Sequence, residues 1–272
     1  MSTGDGVAGQ WGGVDVNFGE EGGRLTYGSY LRLTELLDQQ RLESSPPAHD
    51  ELLFITIHQV YELWFKLLLF ELDDATARML AGEAYLPRVR LDRAHAIERV
   101  LIEQVDILET MTPQDFLEFR AKLAPASGFQ SVQFRELEFL SGLKDERYLS
   151  LRDATPDEVA RLRRRYGGPT LWDGFVSLLA AAGFDTNSKE ARLSAMAEVA
   201  RDRARFGPVW DVAEALLDHD ELMARWRARH VQMVERQIGV KSGTGGSTGA
   251  PYLRKRLDLH FFPELWELRS TM

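Results

Sequence analysis

The stretch HDELLFITIHQVYELWFKLLLFELDDATARML, residues 49–80, constrains this chain more than any other. Its first half is apolar almost all round, and a helix of that kind has to be covered on every side. A strand is the rival reading for LLFITI, but the run continues far past strand length. Asp50 and Glu51 at its start suit the positive end of a helix. His49 and Asp50, beside the Pro46–Pro47 turn, are read as its cap. The rest of the chain must therefore supply the partners that bury one long helix.

Those partners are helical too. YLRLTELLDQQ, residues 30–40, reads as a short amphipathic helix that stops before Ser45-Pro46-Pro47. RVRLDRAHAIERVLIEQVDILETM, residues 88–111, is a second long helix. TPQDFLEFRAKL opens with a Thr112 cap and Pro113 at the first helical position. QSVQFRELEFLSG forms another helix with Gly142 at its end. Stretches near 156–166, 170–182 and 189–218 continue the pattern, and DHDELMARWRARHVQMVERQIG, residues 218–239, is the last long helix. It delivers the chain into the glycine-rich KSGTGGSTGAPY, residues 241–252. No alternating strand pattern, internal repeat or composition break occurs. The expected fold class is all-α: one large helical domain over residues 24–272, preceded by a Gly-rich acidic tail, residues 1–23, expected to be disordered.

Composition narrows the chemistry. Hydrophobic residues make up 44% of the 272, enough for a sizeable core. The formal net charge of -9 argues against nucleic acid and anionic membrane as partners, since both call for basic surface. With no cysteine, disulfides, zinc-thiolate sites, iron–sulfur clusters, thiolate-ligated haem and cysteine nucleophiles are excluded. The N-terminus lacks the basic and apolar regions of a signal peptide, and no apolar run is read as reaching membrane-spanning length. A cytoplasmic location is expected.

Of the six histidines (His49, His58, His95, His219, His230, His260), two face inward by helical spacing. His58 lies between Phe54 and Tyr61 on the apolar helix. His230 lies on the stripe of Met223, Trp226, Val234 and Ile238. A buried imidazole needs partners for its nitrogens, so each alone reads as a hydrogen-bonded core histidine. Two on separate long helices could instead hold a haem or a metal between them. No HxxxH, HExxH or Glu-x-x-His pair supports a bare metal site. Arg120, beside Phe116 and Phe119, reads either as a carboxylate clamp or as an arginine reaching past the rings to water. Arg161–Arg165 reads as a solvated helix face. The glycine-rich segment fails as a phosphate loop: Lys241 precedes the glycines, and Thr248 stands where the third glycine of GxGxxG belongs. A surface loop and a mobile cover over a small ligand both remain.

Five blocks (LTYGSYL, HDELLFITIHQVYELWFK, FLEFRAKLAPASGFQSVQFRELEFLSG, WRARHVQMVERQIGVKSGTGGSTG and FFPELWELR) together closely resemble the tryptophan 2,3-dioxygenase family, from about Leu25 to the C-terminus. The resemblance implies an all-helical homotetramer, a dimer of dimers, with one haem b per subunit. Its reaction inserts both atoms of O2 across the indole C2–C3 bond of L-tryptophan to give N-formyl-L-kynurenine, the first step of tryptophan catabolism by the kynurenine pathway. Carried over by motif, His230 would be the axial iron ligand, with Trp226 beside it and Ser127 near the haem. His58 would be the distal histidine close to the indole N–H. Phe54 and Phe116 would wall the indole, Arg120 would pair with the substrate carboxylate, and Thr244 would meet its ammonium and carboxylate end. Tyr27 and Tyr30 resemble the segment a neighbouring subunit lends to the site. The glycine-rich segment then reads as a substrate lid. Two alternatives share the haem: a monooxygenase making 2-oxindoles from tryptophan or β-methyltryptophan, and a non-catalytic haem-binding helical protein.

Overall fold

The helix ends follow side-chain chemistry more closely than they follow hydrophobic periodicity. The computed structural model describes residues 25–150, 154–245 and 248–271, and among these there is no β-strand. The all-helical expectation therefore holds, while the expected disorder of residues 1–23 lies outside the described residues. The chain divides into two units, residues 1–41 and 42–272.

In the first unit, the single helix expected over residues 30–40 is two short ones, α1 (Tyr27–Leu31) and α2 (Leu33–Leu36). Arg32 between them adopts a left-handed backbone, φ 52°, which ends one hydrogen-bonded run and starts the next. Thr26 and Ser29 close a capping box on α1. Tyr27 and Tyr30 stay 77% and 72% exposed.

The second unit is built on α3 (Glu51–Leu80), which packs against α4 (Tyr85–Leu108). α5 (Pro113–Leu123) starts as expected, with Thr112 and Asp115 capping each other around Pro113. A 3-10 turn, Gly128–Gln130, leads into α6 (Val132–Leu140), which ends just before Gly142. α7 (Pro156–Gly167), α8 (Leu171–Ala181) and α9 (Lys189–Arg201) follow. α10 (Arg203–Ile238) runs beside α4, α8 and α9, and the short α11 (Ala250–Arg254) and α12 (Pro263–Leu268) close the chain.

Three expectations are corrected. The cap of α3 is not the Asp50 side chain, which instead accepts from His49 Nδ1 at 2.7 Å. Glu51 does the anchoring: its fully buried carboxylate accepts the Glu43 and Ser44 N–H groups at 2.8 and 3.0 Å. The last long helix starts not at residue 218 but at 203. Nothing near 218 stops a helix, whereas Asp202 accepts from Arg205 N and caps a new one. Finally, α3 holds an 18-residue window of mean hydropathy 1.4, long and apolar enough by length and composition to cross a membrane. Charges are sparse there, and leucine, isoleucine and phenylalanine dominate its sequence. The helix packs against α4, α6 and α8, and its Leu68, Leu69 and Leu72 enter the main core.

Buried polar contacts fix α10 in place. His219 lies between Ser141, at the end of α6, and Glu98 of α4, all three fully buried. Ser141 Oγ is 2.9 Å from His219 Nε2. Asp220 Oδ2 accepts the N–H groups of Phe261 and Phe262 and the Trp266 indole. His230 stands about three turns further along the same helix.

Candidate functional site

Four rings leave α3 on one face: Phe54, His58, Tyr61 and Phe65, spaced by four, three and four residues. From α10, Trp226 and His230 lie nearly parallel, 5.2 Å between centroids at 7°. Trp226 is boxed by Phe134 of α6 at 5.1 Å, Tyr61 at 6.2 Å and Phe65 at 6.5 Å. The Tyr61 hydroxyl donates to Leu101 O at 2.9 Å, and burial pushes its pKa up to about 12, so it stays a neutral donor. These contacts fix the Trp226 ring, and the ring in turn fixes the plane of His230.

The imidazoles differ in what they lack. His95 reaches Ala215 O at 2.9 Å, and His219 has a partner on each nitrogen, so both are core histidines. His58 has a partner on Nδ1 alone, at 2.7 Å from Phe54 O. The carbonyl can only accept, so Nδ1 carries the proton and Nε2 of the neutral ring offers a lone pair. His230 has no hydrogen-bond partner among the described residues. Both side chains are only partly buried in the packed chain. Burial holds His230 down to about pKa 4, with the nearby His58 adding to the effect. Burial also lowers His58, against the opposing pull of the Phe54 carbonyl and Glu62. Both are neutral at pH 7.

No group of three or more His, Asp or Glu among the described residues could hold a bare metal ion. A neutral, unpartnered imidazole in an apolar enclosure does fit the iron of a haem, which brings four nitrogens of its own.

Beside these imidazoles stand an aromatic cluster and a polar edge. Phe54 and Phe116 stack at 5.6 Å and 25°, and Phe119, fully buried, meets both edge-on at 5.6 and 5.4 Å. One turn beyond Phe116, Arg120 donates from Nη2 to Ser242 O at 2.6 Å. Thr244 Oγ1 donates to Ala126 O, also at 2.6 Å. The glycine-rich segment is thus docked on residues 125–127. Gly245 fits there because it has no side chain: a Cβ would stand 2.6 Å from Ser127 Cβ. At the segment's base Gly249 takes φ +70°, and a Cβ there would meet Lys241 O at 2.5 Å. Ser127 itself caps the 3-10 turn by accepting from Phe129 N at 3.3 Å.

Residues 13–160 and 178–272 match the family described as tryptophan 2,3-dioxygenase. The chain is 61% identical over 262 residues to a tryptophan 2,3-dioxygenase of a Nocardioides species, covering 94% of this chain and 98% of that one. It is 44% identical to the tryptophan 2,3-dioxygenases of Herpetosiphon aurantiacus and Anaeromyxobacter dehalogenans, over 91% of this chain and 98% and 96% of theirs. The chain belongs to the tryptophan 2,3-dioxygenase family. The match begins at residue 13, ahead of the Leu25 from which the motifs alone showed the likeness.

Of the residues the family resemblance singled out, His58, Phe54, Phe116, Trp226 and His230 form or adjoin the aromatic enclosure. Arg120, Thr244 and Ser127 meet at the docked segment, through backbone carbonyls and glycine contacts that sequence patterns do not encode. Tyr27 and Tyr30 belong to the other unit. Sequence reasoning missed the ring box around Trp226. It also missed the tie from Glu62, whose carboxylate accepts Ser131 Oγ at 2.6 Å and Gln133 Nε2 at 2.8 Å. The QS-x-Q spelling of residues 130–133 was the available signal, two polar groups facing an acidic one on an otherwise apolar helix.

Proposed function

We propose that this chain binds haem b through His230 and uses O2 to cleave the indole C2–C3 bond of L-tryptophan, giving N-formyl-L-kynurenine. The observation that carries this reading is the pair of neutral, under-partnered imidazoles from α3 and α10, beside a stacked phenylalanine wall that ends in an arginine.

The haem, when bound, supplies a ferrous iron that activates O2. Everything else falls to the chain. Phe54 and Phe116 offer a flat apolar slot that suits an indole and excludes water. His58 Nε2, its tautomer set by the Phe54 carbonyl, accepts a hydrogen bond from the indole N–H. A neutral imidazole is too weak a base to remove that proton outright, so His58 positions the ring. Arg120 spends one N–H on Ser242 O and keeps its remaining donors for a bidentate grip on the substrate carboxylate. Bound substrate and docked segment then share one guanidinium. Thr244 commits its hydroxyl proton to Ala126 O, leaving oxygen lone pairs that can only accept; its natural partner is the substrate ammonium rather than the carboxylate. The chain's own share is then chiefly orientation: Phe54, Phe116, His58 and Arg120 would hold the indole C2–C3 bond in one pose. Ser127 supports the dock of the segment and would lie near the haem in this reading. A homotetramer, with Tyr27 and Tyr30 of a neighbouring subunit completing each site, goes with it.

The test is a ferrous, haem-loaded, oxygen-free sample given tryptophan and then O2. The expected product is tryptophan plus two oxygen atoms. A gain of one oxygen would replace this reading with the 2-oxindole monooxygenase, and no turnover would replace it with a non-catalytic haem protein.

A further inference from the structure

Beneath the docked segment lies a buried ionic and phenolic cluster that takes no part in the chemistry above. Glu138 of α6 is 1% exposed, and its two oxygens are divided between two arginines. Arg135 donates Nη1 to Oε2 at 2.6 Å, and Arg256 donates Nη2 to Oε1 at 2.7 Å. The Arg135 guanidinium lies 4.1 Å from the Tyr148 ring centroid and 5.2 Å from that of Phe129. Tyr148, 2% exposed, hydrogen-bonds through its hydroxyl to Tyr252. The Tyr252 ring meets Phe129 edge-on at 5.7 Å.

The members come from two ends of one problem. Tyr252 ends the glycine-rich segment and Arg256 lies just beyond it, after Gly249 has brought the chain back beside Lys241. Phe129 follows Ser127, the surface on which Gly245 docks. Both ends of the docking contact are therefore tied to the same buried carboxylate. A carboxylate held by two guanidiniums in an apolar setting resists rearrangement, because freeing either arginine leaves a buried charge unpaired. The phenol pair is milder. It is one hydrogen bond between groups whose rings are already packed, so it can be removed without opening a hole.

We propose that Tyr148 and Tyr252, supported by Glu138, Arg135 and Arg256, are positioning residues for tryptophan binding: they set the docked geometry of residues 241–245 without touching substrate. This rests on the dioxygenase reading, since it needs the docked segment to close over the substrate. Removing the phenol link makes docking less favourable, and every tryptophan bound must then restore it. The effect belongs in affinity rather than in the rate of the bound complex.

The experiment uses the haem-loaded enzyme with Tyr252→Phe, Tyr148→Phe and the double variant. Each single change is expected to raise KM for tryptophan roughly two- to ten-fold, the size of one lost hydrogen bond, with kcat and haem content kept. Amide hydrogen exchange at 241–245 should quicken in step, while that of α10 stays unchanged. The double variant should match either single one, because both remove the same link. Unchanged KM overturns the proposal even if exchange quickens; additive effects, or a KM change that follows loss of haem or of thermal stability, overturn it as well. If either tyrosine variant fails to fold, Arg256→Lys stands in, and the same split between KM and kcat decides. An unaltered enzyme that does not turn over tryptophan would sink the dioxygenase reading instead, while the exchange rates would still report whether the link holds the segment.

Discussion

His230 suits the proposed ligand role because its surroundings keep it neutral and no hydrogen bond among the described residues claims its nitrogens. His230→Ala is expected to purify without haem at near-normal helicity, checked by the haem absorption band against far-ultraviolet circular dichroism. Arg120→Ala should keep its haem and weaken tryptophan binding by about 2–5 kcal/mol, the range for stripping one partner from a desolvated charge pair. Equilibrium titration of tryptophan measures it. Arg120→Lys should recover little, since an ammonium cannot serve the Ser242 carbonyl and a bidentate carboxylate together. At this scale the sequence singled out His58 and His230 as the inward pair, whereas His95 and His219 are buried too, 4% and 0% exposed. It was silent on why those two differ from His95 and His219. All four sit on inward faces, and only the tertiary contacts show which nitrogens are taken.

Among the elements, the segment 241–245 and its dock are matched by volume. Gly245→Ala puts a methyl 2.6 Å from Ser127 Cβ, so docking should weaken and KM for tryptophan rise. Adding Ser127→Gly to Gly245→Ala should restore part of the affinity by removing the obstructing carbon, and steady-state kinetics of the pair would show it. The α4–α10 contact carries a pH dependence. His95 faces Glu98, His219 and Asp218; burial lowers its pKa below 6.5, against the pull of the carboxylates. The unfolded chain therefore binds a proton that the folded one resists, and stability should be full above about pH 6.5 and fall as pH drops below it. Denaturant midpoints between pH 7 and 5 would test the sign, and His95→Gln should flatten the slope. Element boundaries were legible where a side chain writes them, as with Thr112–Pro113–Asp115. They were misread at Asp202 and Arg32, where a cap or a left-handed residue interrupts an unbroken periodic pattern.

For the whole molecule, α3 and its neighbours leave large apolar side chains in the open, with Phe70 70%, Tyr85 77% and Leu63 51% exposed. Apolar exposure on this scale suits self-association. Light scattering is expected to give four times the chain mass. If a neighbouring subunit lends Tyr27 and Tyr30 to the site, Tyr27→Ala should weaken tryptophan binding without changing haem content. Four-fold mass with unchanged affinity in that variant would separate assembly from site completion.

The sequence by itself determined the helical class, the long apolar helix, the absence of cysteine chemistry and which residues stand as candidates for the proposed site. Each of these depends on residue type and on spacing along one element. Only the tertiary structure decided which histidines keep a free nitrogen, that Arg120 is shared with the glycine-rich segment, and that Glu138 ties both ends of that segment's dock. These depend on backbone carbonyls and on groups more than a hundred residues apart, such as Arg120 and Ser242 or Glu138 and Arg256. No periodicity connects such pairs; only the folded chain brings them together.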